Sequence, residues 1–183
     1  MKKNVDSLRS ALDLLRTMPG QLLETNTAVN TEAELAGIYR YVGAGGTVSR
    51  PTKEGPAMLF HNIQNHPGTS VAIGLLASRK RVAALLDCPA QELGKKLFRC
   101  TEHPVPPVLS QKPAPCQEII HKSSDLGFDL HKLLPAPTNT PDDAGPYITL
   151  GMCYATHPDT GLHDVTIHRL CIQGERELSI FFT

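Results

Sequence analysis

The sequence predicts an α/β domain at the N-terminus followed by the opening strands of an antiparallel all-β domain that is cut short. Three observations carry this reading. Helical apolar spacing mixed with short apolar runs fills residues 1–102, and five prolines crowd residues 103–115. From Tyr147 onward, three β-rich segments are separated by turn signals. At roughly 100–200 residues per domain, 183 residues make one domain or two small ones, with enough chain for a real core.

Taken in order, Val5, Leu8, Leu12 and Leu15 recur at helical spacing. Asn4 or Asp6 can cap this run, and Met18-Pro19-Gly20 stops it. Leu22 to Val29 reads as extended. Thr31 with Glu34 then offers a capping box for a helix to about Val42, which ends at Gly43-Ala44-Gly45-Gly46. A phosphate-binding glycine loop should follow a strand and open a helix, whereas this one follows a helix, so it reads as a C-cap and loop. Ala57–Ile63 and Ser70–Leu76 read as strands joined through the turn His66-Pro67-Gly68. Ser78-Arg79-Lys80-Arg81 opens a helix to Leu86, its three cations reading as a solvated face, and another helix runs from near Pro89 to about Cys100.

Pro104, Pro106, Pro107, Pro113 and Pro115 forbid helix and mark a linker over 103–115. Beyond it, Cys116 to Lys122 reads as a strand and Asp125 to Leu134 as a short irregular piece. Pro135 to Pro146 is a second stiff loop, and a loop of that length is usually functional. The β-rich remainder comprises strands over Tyr147–Thr156 and Leu162–Gln173, with a third from Leu178 that is still running at Thr183. An apolar strand left without a following partner points to a domain whose remainder lies elsewhere.

Charge and composition exclude several function classes. Eighteen Lys+Arg balance eighteen Asp+Glu, which removes the electrostatic footprint that nucleic-acid binding needs. No apolar run approaches the ~18 residues of a membrane span, and Met1-Lys2-Lys3 leads into an amphipathic helix, so the reading is a cytoplasmic protein without a membrane partner. Cys88, Cys100, Cys116, Cys153 and Cys171 are odd in number and scattered. They form no disulfide framework or zinc spacing, and read mostly as small buried hydrophobes.

The densest polar group is His163, Asp164, Thr166, His168 and Arg169 on the second β-rich segment. Strand alternation puts Asp164, Thr166 and His168 on one face and Val165, Ile167 and Arg169 on the other. The first face suits an oxygen-preferring divalent cation, or a phosphate held through one; a solvated outer face of a sheet has the same pattern. Arg169, a guanidinium on an otherwise apolar face, calls for an anionic partner.

The run Asp143-Ala144-Gly145-Pro146-Tyr147-Ile148-Thr149-Leu150-Gly151, followed by Asp164-Val165-Thr166-Ile167-His168-Arg169, resembles the cofactor-binding signature of the UbiD family of reversible decarboxylases. More narrowly it is similar to the large (C) subunit of the non-oxidative hydroxyarylic acid decarboxylases, which act on 4-hydroxybenzoate-, vanillate- and gallate-type acids. Glu34 to Val48, Glu54 to Phe60 and Pro135 to Pro141 extend the resemblance over nearly the whole chain.

The resemblance implies a flavin-binding split-β-barrel that begins within 116–183, after an α/β domain over 1–102. It implies prenylated FMN with Mn²⁺ and K⁺ at its phosphate, and non-oxidative decarboxylation of a hydroxyaromatic acid. Where the family usually has a metal-ligating asparagine this sequence has Asp164, which keeps an oxygen ligand, and Val165 matches a position that offers its carbonyl to K⁺. Ile167, His168 and Arg169 match the segment lining the flavin, with Arg169 beside the substrate carboxylate as the catalytic residue. Phe181, Phe182 and Thr183 match the following cofactor-contacting strand. The family's remaining metal ligands, a histidine and a glutamate, and its acidic proton donor match no position here, so activity is expected to require further chain. The implied partners are a second copy of the chain and small decarboxylase subunits, including a UbiX-like flavin prenyltransferase. Two other readings are a non-catalytic module that only binds an oligomeric partner or flavin weakly, and an independent electron-transfer domain.

Overall fold

A computed structural model describes residues 5–43, 54–106 and 108–181. The chain divides into two compact units. The first gathers Met1–Glu24, Tyr41–Leu59 and Ala72–His121; the second gathers Thr25–Arg40, Phe60–Val71 and Lys122–Thr183. Of the predicted glycine loop, only Gly43 is described.

In the first unit, α1 (Leu8–Arg16) is capped by Ser7, whose hydroxyl accepts from the Ser10 N–H, while the Ser10 hydroxyl accepts from the Ser7 N–H. Asp6 is not the cap, and Asn4 lies outside the described residues. The helix buries Ala11, Leu12 and Leu15 and leaves Leu8 exposed. A three-stranded sheet has the order β1 (Leu22–Thr25), β2 (Ala57–Phe60), β3 (Val71–Ile73). Every residue of β2 is buried, as the unbroken apolar run Ala-Met-Leu-Phe requires.

Ser78 caps α3 (Arg79–Leu85) by accepting from the Arg81 N–H. Arg79 and Lys80 are exposed as expected, but Arg81 is not on a solvated face. It is 1% exposed, the largest fully buried side chain of the described residues. Its Nη1 donates to the Gly55 carbonyl (2.7 Å) and to Gln21 Oε1 (3.4 Å), its Nη2 to the Gly74 carbonyl (2.8 Å) and its Nε to the Leu75 carbonyl (3.3 Å). A guanidinium fork that meets several carbonyls at once is tolerated where a bare charge is not.

A 3₁₀ turn (Ala90–Glu92) leads into α4 (Leu93–Glu102). The strand expected over Cys116–Lys122 does not form: Pro115–Gln117 is a 3₁₀ turn and the residues after it are exposed. No strand among the described residues pairs with this segment, so its backbone finds no ladder partner. The cysteines also differ from expectation, since only Cys171 is buried while Cys100 and Cys116 are exposed.

In the second unit, α2 (Glu34–Gly43) begins at Glu34 and not directly after Thr31, so the expected pairing of Thr31 with Glu34 is replaced by contacts of Asn30 ahead of the helix. Asn30 Oδ1 accepts from the Glu32 N–H (2.8 Å), and the Glu34 carboxylate accepts from the Asn30 N–H (2.6 Å). Thr31 uses its carbonyl to accept from the Thr138 N–H (3.1 Å). That bond and the Ala33 N–H donation to the Thr138 carbonyl (3.2 Å) anchor the long 135–146 loop. Short α5 (Leu130–Leu133), inside the piece read as irregular, is capped by Asp129, and its Leu130 N–H donates to the Glu175 carbonyl.

The second sheet is an antiparallel meander of β4 (Tyr147–Thr156), β5 (His163–Gly174) and β6 (Glu177–Ile180), close to the predicted strands. Val29, Leu35, Phe60, Ile63, Cys171 and Ile172 are the buried apolar residues of this unit. The described residues of this sheet form a three-stranded meander and no closed barrel.

Candidate functional site

Strand pairing places the predicted site. Tyr147 faces Cys171 and Ile148 faces Leu170, after which the register shifts so that Gly151 faces His168. Two residues of β4, Thr149 and Leu150, therefore stand opposite the single residue Arg169. Such a bulge breaks the ladder locally and re-aims the side chain across from it. Gly151 belongs to the same arrangement, because a Cβ there would collide with the Leu170 side chain and lie 3.1 Å from the His168 carbonyl.

The two faces of β5 divide in the reverse of the solvated-face reading. Thr166 and His168 are half-buried, whereas Val165 and Ile167 are 52% and 64% exposed. Ile167 is paired with Met152 and Val165 with Tyr154, both also exposed. Beyond them Tyr154 stacks on His163, with ring centroids 5.4 Å apart. Arg169 thus stands at the end of an open apolar strip, on the same face. Phe181, just past β6, is exposed, while Phe182 and Thr183 lie outside the described residues.

Arg169 has local partners that sequence reasoning did not identify. Its Cζ sits 5.8 Å from the centroid of the Tyr147 ring, within cation–π range. Asp143 interacts with it electrostatically. The Asp143 carboxylate accepts from the Thr140 N–H (3.0 Å) and the Asn139 N–H (2.8 Å), and these bonds, assisted by Arg169, hold its pKa below the ordinary value. Tyr147 titrates above its ordinary value because of its hydrogen bond with the Cys171 thiol and because of burial. The signal for both residues was present in the run Asp143 to Gly151, but only pairing with β5 shows what they face.

A pH dependence follows for this loop. Well above 3.8, the ordinary aspartate value, Asp143 is ionised in folded and unfolded chains alike, and its preference for the folded loop is fully present. As pH falls below 3.8 through the lower folded value, that preference is lost. Hydrogen exchange at the Asn139 and Thr140 amides, corrected for intrinsic rates, is expected to lose protection over that window, and Asp143→Asn to remove the dependence.

Asp164 is exposed, and its Oδ1 accepts from the Val165 N–H (2.8 Å). No cluster of three His, Cys, Asp or Glu that could hold a metal occurs among the described residues. The second unit also contains a cleft of about 370 Å³ lined by Thr31, Glu32, Asn65, His66, His131 and Thr138 among others. His66, read from sequence only as part of a turn, is buried there with its Nδ1 unpartnered.

Comparison with known proteins places this geometry. The profile of the 3-octaprenyl-4-hydroxybenzoate carboxy-lyase N-terminal domain matches residues 13–101, and that of the carboxy-lyase Rift-related domain matches residues 108–183. Gallate decarboxylase of Lactiplantibacillus plantarum is 46% identical over 95% of this chain, which spans 36% of that protein. The apo structure of 3,4-dihydroxybenzoic acid decarboxylase (AroY) from Klebsiella pneumoniae superposes with a TM-score of 0.89 at 51% identity, covering 96% of this chain and 36% of that one. An evolved dimeric form of the UbiD-class enzyme HmfF from Pelotomaculum thermopropionicum, in complex with prenylated FMN, superposes with a TM-score of 0.83 at 31% identity over 97% of this chain and 38% of that one. The chain therefore spans little more than a third of the length of these relatives. With the two profiles together accounting for most of its residues, the chain belongs to the UbiD family.

Proposed function

We propose that the chain forms the flavin-facing part of a decarboxylase that removes carbon dioxide from a hydroxylated benzoic acid, with prenylated FMN as cofactor and Mn²⁺ and K⁺ at its phosphate. The observation that carries this is the bulge-set Arg169 at the end of the open apolar strip of Ile167 and Met152. Such a strip can cover one face of a flat ring system, and a guanidinium offers a planar fork for a carboxylate. The likeness to enzymes named for gallate and 3,4-dihydroxybenzoate favours substrates of that chemical class.

When bound, prenylated FMN supplies the electron sink that makes loss of carbon dioxide feasible. The chain's own residues bind and orient. Ile167 and Met152 present apolar surface to the ring, with Phe181 to Thr183 beside it in the sequence pattern, while His168 lies on the opposite face of β5. Arg169 holds the substrate carboxylate at a fixed place and offsets negative charge as the carbon–carbon bond breaks. Asp164 would give one oxygen ligand to Mn²⁺, and the Val165 carbonyl would give one to K⁺. A second copy and small subunits, including a UbiX-like prenyltransferase, complete the assembly.

The test joins the chain to the further length that its relatives have and follows carbon dioxide release from 3,4-dihydroxybenzoate or gallate. Release that requires prenylated FMN is expected; release undiminished without the flavin contradicts the reading. Asp164→Ala is expected to weaken Mn²⁺-dependent retention of the cofactor about tenfold or more, read as metal content after gel filtration. Unchanged metal content would remove Asp164 from the ligand set.

A further inference from the structure

We propose that Tyr147 is the positioning residue for Arg169: its ring face, together with the charge of Asp143, fixes where the guanidinium points on the bulged side of β5. This rests on the reading of Arg169 as the carboxylate-binding group, and adds a residue to that site.

Four observations support the assignment. The Arg169 Cζ lies 5.8 Å from the Tyr147 ring centroid. The bulge removes the regular ladder across from Arg169, so strand pairing alone does not set this side chain's direction. Tyr147 is itself held in place. Its backbone N–H donates to the Pro137 carbonyl (2.9 Å), and it pairs across the ladder with Cys171, a buried residue whose Sγ accepts from Gln173 Nε2 (3.0 Å). Finally, Gly145 leaves room for this packing, because a Cβ there would lie 3.1 Å from Cys171 Sγ and 3.0 Å from the Ile172 carbonyl.

Asp143 completes the arrangement from the same segment as Tyr147. Two backbone N–H groups pin its carboxylate, leaving it a fixed negative charge and not a mobile one. A long, exposed arginine otherwise samples many rotamers, and a ring face plus one fixed anion restrict that sampling before substrate arrives. An aromatic ring is what this role requires; the hydroxyl is secondary.

The experiment compares Tyr147→Phe with Tyr147→Leu. In the 183-residue chain, the Arg169 Nε–H proton is followed by ¹H–¹⁵N NMR, assigned through its loss in Arg169→Lys. The expected result is an upfield ring-current displacement that Tyr147→Phe keeps and Tyr147→Leu abolishes, while backbone amide signals away from 143–151 and 168–172 stay in place. An Arg169 signal unmoved by Tyr147→Leu overturns the proposal. In the flavin-loaded enzyme of full family length, Tyr147→Leu is expected to raise KM for the carboxylate substrate roughly two- to fivefold, with Tyr147→Phe near wild type. Equal losses in both variants overturn a positioning role of the ring. Failure of the decarboxylase reading shows differently, as absence of turnover in the wild type with the ring-current displacement intact.

Discussion

Arg169→Ala is expected to lower kcat/KM for decarboxylation by about 10²- to 10³-fold, the range seen when one preorganised charge-stabilising group is removed from an active site. The fold should survive, because Arg169 is exposed and its contacts are a ring face and one surface carboxylate. A circular dichroism melt within a degree or two of wild type, together with lost carbon dioxide release, is the expected pair of results. Arg169→Lys is expected to recover little, since a lysine keeps the charge but not the planar fork. Turnover of Arg169→Ala at the wild-type rate would remove Arg169 from the site and with it the main reason for reading this strand as catalytic.

The largest effect on stability is expected in the other unit. Arg81→Ala removes a fully buried guanidinium and leaves the carbonyls of Gly55, Gly74 and Leu75 without its donors. The Gly74 carbonyl keeps the Ala77 N–H, so the cost falls on the Gly55 and Leu75 carbonyls, at about 1–3 kcal/mol for each that is left unpaired, and on the emptied volume, which adds a cavity term; a loss of about 3–5 kcal/mol is expected. That is a large share of the total stability of a small unit. Urea unfolding of the 183-residue chain would show a lowered midpoint. Arg81→Lys should fall short of wild type because three donors on one nitrogen cannot reach carbonyls that surround a fork. A midpoint unchanged in Arg81→Ala would show that these carbonyls find other partners or water.

Arg81 also shows where the sequence misleads. Three consecutive cations at a helix start look alike in one dimension, and only the packing of α3 over the Gly55 and Gly74 carbonyls separates Arg81 from Arg79 and Lys80. The same limit explains the missing strand over Cys116–Lys122: apolar residues such as Ile119 and Ile120 have β-propensity, but a strand needs a partner, and none of the described strands pairs with this segment. Legible from local pattern were α1, α2, β2, α3 and the β4–β6 meander, whose periodicity or turn residues are strong. The α1 cap was read one position off, because Asp6 and Ser7 both reach Ser10 but only Ser7 accepts from its N–H, and α2 starts later than the Thr31–Glu34 pair suggests, since Asn30 Oδ1 accepts from the Glu32 N–H ahead of the helix.

The site divides in the same way. The run from Asp164 to Arg169 was visible as a polar cluster on alternating faces, and resemblance gave it a role. That the apolar side is the open one was not visible, since alternation fixes which residues share a face but not which face meets solvent. Nor was the bulge, whose two-against-one count exists only once β4 and β5 are paired.

The most direct measurement is a titration of the 183-residue chain with prenylated FMN in the presence of Mn²⁺, followed by the flavin's absorbance and fluorescence. Saturable binding is expected, with spectral changes that Ile167→Asp weakens by an order of magnitude or more through the charge it places on the open apolar face. Binding that Ile167→Asp leaves unchanged, or no saturable binding to the wild-type chain, would contradict the claim that this strand face carries the flavin.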